Sequence, residues 1–141
     1  MIQKILNSWS HEDKQFIYEA MMANCSTIAC HMHGCCIMQK SIDAANPAQK
    51  RALTIQIAKH TRIFVKDAYA NYVIQYILDL KMMEVGTVVG EQLLGQLLIL
   101  SKEKFSSNVI EKCLESTNAE IRHKMVAEIM QAKSFKDYLA D

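Results

Sequence analysis

The chain has 141 residues, half of them apolar, with one Pro, four Gly and a net charge of +1. That length suits one compact domain or a short repeat array, and the dearth of Pro and Gly excludes a loop-rich or all-β chain. The near-neutral charge does not by itself point to a nucleic-acid partner.

A 36-residue period runs through the sequence: Gln3, Gln39, Gln75 and Glu111 are in register. So are their apolar neighbours Ile37, Val73 and Val109; Met38, Ile74 and Ile110; and Ile42, Leu78 and Leu114. A period of this size predicts an all-α solenoid, in which each unit buries its apolar face against the next.

In chain order, residues 1–9 read as the end of one unit, because Met1 to Leu6 aligns with Val73 to Leu78. Each following unit is predicted to hold two helices. In unit 10–45, Ile17 and Met21 form the buried stripe of the first helix, and Ser10 followed by Glu12 and Asp13 marks its start. In unit 46–81 the stripe is Leu53 and Ile57, and Asn46-Pro47 is the start. Unit 82–117 has Val89 and Leu93 but no comparable cap near Met82. Residues 118–141 begin a further unit with Met125 and Ile129, and Thr117 with Glu120 reads as the capping pair. Ser134 to Asp141 resembles the approach to another presenting helix, Ile63 to Asp67, although strict register sets Asp141 opposite Tyr69. The expectation is a piece of a longer array, whose open stacking faces invite self-association.

The second helix of each unit divides its residues sharply. Val73, Ile74, Ile77 and Leu78 make one apolar face, while Asn71 and Gln75, spaced i, i+4, share the other side with Tyr72. The same slots hold Cys35, Cys36 and Gln39 in the unit before, and Ser107, Asn108 and Glu111 in the unit after. The core positions stay apolar while the presented trio changes, which fits a surface that reads a linear polymer.

At these residues the chain resembles the Pumilio (PUF) family of RNA-binding repeats. The motifs are Asp67-Ala68-Tyr69-Ala70-Asn71-Tyr72-Val73-Ile74-Gln75, His31-Met32-His33-Gly34-Cys35-Cys36-Ile37-Met38-Gln39 and Phe105-Ser106-Ser107-Asn108-Val109-Ile110-Glu111-Lys112. The resemblance covers essentially the whole chain and matches the fifth to seventh repeats of an eight-repeat domain, with parts of the fourth and eighth. It implies an α-α superhelix, armadillo-like and right-handed, that binds single-stranded RNA one base per unit. It also implies binding to mRNA 3′ untranslated regions in the cytoplasm, for translational repression or decay, and no cofactor. Co-repressor or deadenylase proteins are the implied partners of the outer face, and the stretch Leu80 to Gly90 is a candidate outer loop.

The residues suit that role chemically. A carboxylate accepts both donors of the guanine edge, which assigns Glu111, with Ser107, to guanine. The amides of Asn71 and Gln75 supply both hydrogen-bonding senses for uracil. Gln39 satisfies the acceptor and donor of adenine, and the small Cys35 leaves room for the purine. Read antiparallel, as the resemblance implies, the units spell 5′-GUA-3′ within a UGUA element, and Gln3 edges toward the next base. Tyr72 is the stacking platform, with Asn108 and Cys36 in the equivalent slots; Cys36 departs from the arginine often found there in the family. Lys4, Lys40 and Lys112 follow the reader residue in register and are candidates for phosphate contacts.

Other readings fit less well. Cys30, His31, His33, Cys35 and Cys36 lack the paired spacing of a zinc site, and two of them occupy presented slots. No phosphate loop, nucleophile elbow or paired-histidine metal motif is present, so no enzyme is expected. The competing reading is an armadillo- or HEAT-like scaffold that binds proteins and reads no RNA. The five Cys are expected to be free thiols in a reducing compartment. The longest apolar run, Leu93 to Leu100, contains Gly95 and Gln96, so no membrane-spanning helix is expected.

Overall fold

The computed structural model describes residues 2–140, with side chains described for residues 4–131. The described residues form eleven helices and no strand. They run α1 Ile2–Ser8, α2 His11–Ala23, α3 Cys25–Ala29, α4 Gly34–Ala44, α5 Pro47–Ala58, α6 Thr61–Phe64, α7 Ala70–Asp79, α8 Met83–Leu93, α9 Leu97–Leu100, α10 Ser106–Ser116 and α11 Ala119–Ala140.

The period is therefore real, but each complete unit has three helices where two were predicted. A short helix (α3, α6 or α9) separates the long first helix from the presenting helix. At four or five residues, these elements are too short to show a 3.6-residue pattern in sequence. They matter to packing, because Phe64 and Leu100 are fully buried in register.

Two columns of helices build the stack. α2, α5, α8 and α11 pack in succession, as do α1, α4, α7 and α10. Between the columns lie the predicted stripes. Leu53 and Ile57, Val89 and Leu93, and Val73, Ile74, Ile77 and Leu78 are all essentially inaccessible to solvent. Burying each such side chain contributes about 1.5–3 kcal/mol. Burial falls off toward the ends of the stack: Ile37, Leu114 and Ile129 are only partly covered. An open apolar groove on the N-terminal side is lined by Ile5, Phe16, Ile17, Met21 and Ile28 among others.

Helix starts follow the sequence closely at two places. Ser10 Oγ accepts from Asp13 N at 3.1 Å, and Asn46 forms a capping box with Gln49. At α11 the predicted cap is displaced by one residue. Asn118 Oδ1 accepts from Ile121 N at 2.9 Å, while the Thr117 hydroxyl is buried without a partner. An amide oxygen at Ncap competes at least as well as a threonine hydroxyl, and Asn118 sits at the right spacing to win.

Leu80 to Gly90 is not a loop. The chain reverses in three residues, with Lys81 at φ 57, and α8 then starts at Met83. Gly86 and Gly90 lie within α8 and serve close packing. A Cβ on Gly86 would lie 2.3 Å from Ser116 O, and one on Gly90 2.5 Å from Ile121 Cγ2. The tail also differs from expectation, since α11 continues as a single helix through Ala140. The side chains of Ser134 to Asp141 lie outside the described residues.

Lys14, unremarked in the sequence, is 3% exposed. Its ammonium donates to Leu6 O at 2.9 Å and Ala44 O at 3.1 Å, the otherwise open carbonyls at the C-terminal ends of α1 and α4. Two units later the same slots are filled differently. Gly86 stands in place of Lys14 and Ser116 in place of Ala44, and Ser116 Oγ donates to Leu78 O at 3.0 Å. Leu78 occupies the position of Leu6 plus two periods, so one buried carbonyl has two alternative donors along the array. Lys14→Met keeps the stem and removes the donors. It is expected to lower stability by about 2–3 kcal/mol, measured by urea unfolding.

Candidate nucleic-acid interface

The presented trio occupies one surface of the column α4, α7, α10. Cys36, Tyr72 and Asn108 are exposed in all three units, and Tyr72 has 56% of its surface open to solvent. Gln39 and Gln75 are half-buried and Glu111 is exposed. Cys35 and Asn71 are buried at the inner edge, with Ser107 half-buried in the same slot. The stack thus places nine of the predicted residues in three equivalent sets. Gln3 lies in α1, and its side chain is outside the described residues.

Within the sets the hydrogen bonding differs. Asn71 Nδ2 donates to Asp67 O at 2.7 Å and Ala68 O at 3.0 Å. The expectation that the Asn71 and Gln75 amides together supply both senses is narrowed by this, since Nδ2 of Asn71 faces backbone carbonyls. Its Oδ1 accepts from Gln75 Nε2 at 2.9 Å. Gln75 retains one N–H and its carbonyl oxygen, so the two senses come from Gln75 alone. In the preceding set, Cys35 Sγ donates to Met32 O at 3.2 Å. Burial and the neighbouring Cys36 push the Cys35 thiol above its usual pKa.

The three candidate phosphate lysines are not equivalent. Lys4 and Lys40 are exposed, but Lys112 Nζ is 2.8 Å from Asp79 Oδ2. Asp79 ends α7, where a negative charge opposes the helix macrodipole, so the cation one helix over settles there. Counting back the same interval from Lys40 reaches Asn7, a neutral residue, and both line one surface depression. Asp43, Asp79 and Glu115 form an in-register acidic row along this rim, all exposed. The sequence contained that row, but only the stacking offset shows that it meets the lysines.

Among the described residues, no three or more His, Cys, Asp or Glu side chains gather as a metal site, and no helix is long and apolar enough to cross a membrane. His31 Nδ1 instead accepts from His33 N at 3.1 Å and Gly34 N at 3.2 Å, at the start of α4.

Fold and site together define a helical repeat solenoid that presents one variable polar trio per unit. The chain belongs to the Pumilio-family RNA-binding repeats, whose model matches residues 1–22, 24–58, 64–80 and 96–130. The family's 24–58 match starts beside the short helix α3, a different frame from the one read in sequence. A Pumilio domain-containing protein of Schizosaccharomyces pombe is 40% identical over the whole chain, which spans 21% of that relative. Pumilio homolog 12 of Arabidopsis thaliana is 34% identical over 82% of this chain and 20% of its own. Among solved structures, a Puf4 RNA-binding domain bound to the HO endonuclease RNA 3′ UTR recognition sequence superposes with a TM-score of 0.79 and 32% identity. That match covers 93% of this chain and 41% of the other. The chain thus spans about a fifth of the length of these curated relatives. The family is defined by RNA-binding repeats and not by a reaction.

The thiols provide a check on the placement. All five cysteines are free. Burial pushes Cys25 and Cys30 up to about 11 and Cys113 up to about 12, so little thiolate forms at neutral pH. Cys36 is exposed. Iodoacetamide at neutral pH is expected to alkylate Cys36 first and Cys113 last, as read by peptide mass spectrometry.

Proposed function

We propose that the chain binds single-stranded RNA with one base per unit, reading 5′-GUA-3′ within a UGUA element of mRNA 3′ untranslated regions. In this reading the parent protein represses or destabilises those messages in the cytoplasm. The observation that carries the proposal is the fixed geometry of a changing trio. Gln39, Gln75 and Glu111 occupy equivalent open positions, yet the last exchanges an amide for a carboxylate. A carboxylate accepts two hydrogen bonds and donates none, which selects the guanine edge. Gln75 offers uracil one donor and one acceptor, and Gln39 does the same for adenine beside the small Cys35. The exposed Tyr72 ring gives bases a face to stack on, worth about 1–3 kcal/mol per base. The solved Puf4 relative bound to a 3′ UTR sequence supports the ligand class.

The deciding experiment is a titration with a UGUA-containing RNA. Replacing Gln39, Gln75 and Glu111 together by Ala is expected to abolish sequence preference and most of the affinity. Unchanged binding would assign the face to a protein-binding scaffold instead. Glu111→Gln alone is expected to reduce the preference for guanine at its position by about tenfold or more, the equivalent of one charge-assisted hydrogen bond. Competition between RNAs that differ only at that base measures the ratio.

A further inference from the structure

Asp67 lies outside the presented trio, four residues before Asn71. Its Oδ1 accepts from Tyr69 N and Ala70 N, both at 2.8 Å. This closes an Asx-type turn at the entrance to α7. The carbonyls of Asp67 and Ala68 then both face Asn71 Nδ2 and take its two hydrogens. A flipped Asn71 would set its oxygen against two carbonyl oxygens, so only one orientation of this amide is tolerated. Asn71 Oδ1 must therefore face Gln75 and receive Nε2. The orientation of Gln75 follows, with its N–H toward Asn71 and its Oε1 on the far side.

We propose that Asp67 is the positioning residue of the middle reader: it fixes Asn71, and through it the sense in which Gln75 presents its amide to the base. The inference rests on the RNA-reading function proposed above. Its consequence is selectivity. Uracil places one donor between two acceptors, so an amide of fixed sense pairs with N3–H and either neighbouring oxygen. Adenine and cytosine carry donor and acceptor on set sides, so they match a fixed amide in only one placement. Locking Gln75 thus favours uracil, and releasing it lets the amide turn over to suit the other bases.

The neighbouring units lack this chain of bonds. His31 closes the equivalent turn, but the next link, Cys35, bonds to Met32 O, and no side-chain bond among the described residues reaches Gln39. At Glu103 no side-chain bond closes the turn among the described residues, and the backbone bond from Ser107 N to Glu103 O at 3.3 Å is one that all three units share. The lock belongs to the middle unit alone among the three.

The test titrates the chain, Asp67→Ala and Asp67→Asn against 5′-UGNA-3′ RNAs with each base at N, and against RNAs varied at the guanine. Asp67→Ala is expected to lose about three- to tenfold of the preference for uracil over adenine and cytosine, as for one neutral hydrogen bond. Preference at the guanine should persist, which also reports that the variant is folded. Asp67→Asn retains a side-chain oxygen for the turn and should restore the uracil preference. If Asp67→Ala loses guanine preference, Asp67→Glu takes its place, since its carboxylate sits one bond too far out to close the turn. A wild-type chain with no base preference at N would overturn the RNA-reading function itself. A wild-type preference for uracil that survives in Asp67→Ala or in Asp67→Glu, or an equal loss of affinity for all four bases in that variant, would overturn the positioning role alone.

Discussion

The presenting face depends on the burial of helix against helix at a fixed interval. In α7, Val73, Ile74, Ile77 and Leu78 all turn into the stack, and none retains more than a trace of solvent contact. With one side of a 3.6-residue helix committed in this way, the positions left on the open side are determined by geometry. Tyr72 and Gln75 occupy them because their neighbours are held elsewhere, while Asn71 is buried at the inner edge. The same packing in α4 and α10 places the equivalent residues in one row, so the spacing of the readers is the spacing of the core.

Polar groups inside this stack are handled locally, and not always by the same residue. Lys14 serves two helix-end carbonyls in the first unit, while Ser116 serves the equivalent of one of them two units later, where Gly86 lets the backbones close in. Bonds between units follow the same interval. Arg51 pairs with Glu84 through two hydrogen bonds, and Lys112 with Asp79. Glu128 reaches back to the backbone N–H groups of Gly95 and Leu97. Exposed pairs such as these add little stability individually. Their effect is on placement: Lys112 is drawn to the acidic rim of its neighbour.

Gln39, Gln75 and Glu111 share a position but differ in freedom. The middle amide is tied through Asn71 to the backbone, the first is flanked by a thiol bonded elsewhere, and the third is an exposed carboxylate. A carboxylate has no donor to offer, so its hydrogen-bonding sense is fixed by its chemistry. An amide has both senses, so its discrimination depends on what holds it.

Sequence by itself determined the period, the all-α class, the apolar stripes and the in-register sets on the second helix of each unit, because these follow from helical periodicity and from repetition in register. It also located the caps at Ser10 and Asn46, where local side chains act on nearby backbone. It did not reveal the short helices α3, α6 and α9, which are shorter than the pattern that announces a helix. It misplaced Leu80 to Gly90, since α8 starts at Met83 with no side-chain cap to announce it. Only the tertiary structure decided that Lys14 is buried, that Lys112 belongs to Asp79 and that Asn71 has no hydrogen left to give. Those outcomes depend on which residues 30 or more positions apart come within hydrogen-bonding distance of each other, and on which backbone carbonyls a turn directs at a side chain. A linear pattern of apolar and polar residues specifies which side of a helix faces inward; the partner of each polar atom is set by the offset at which the helices meet.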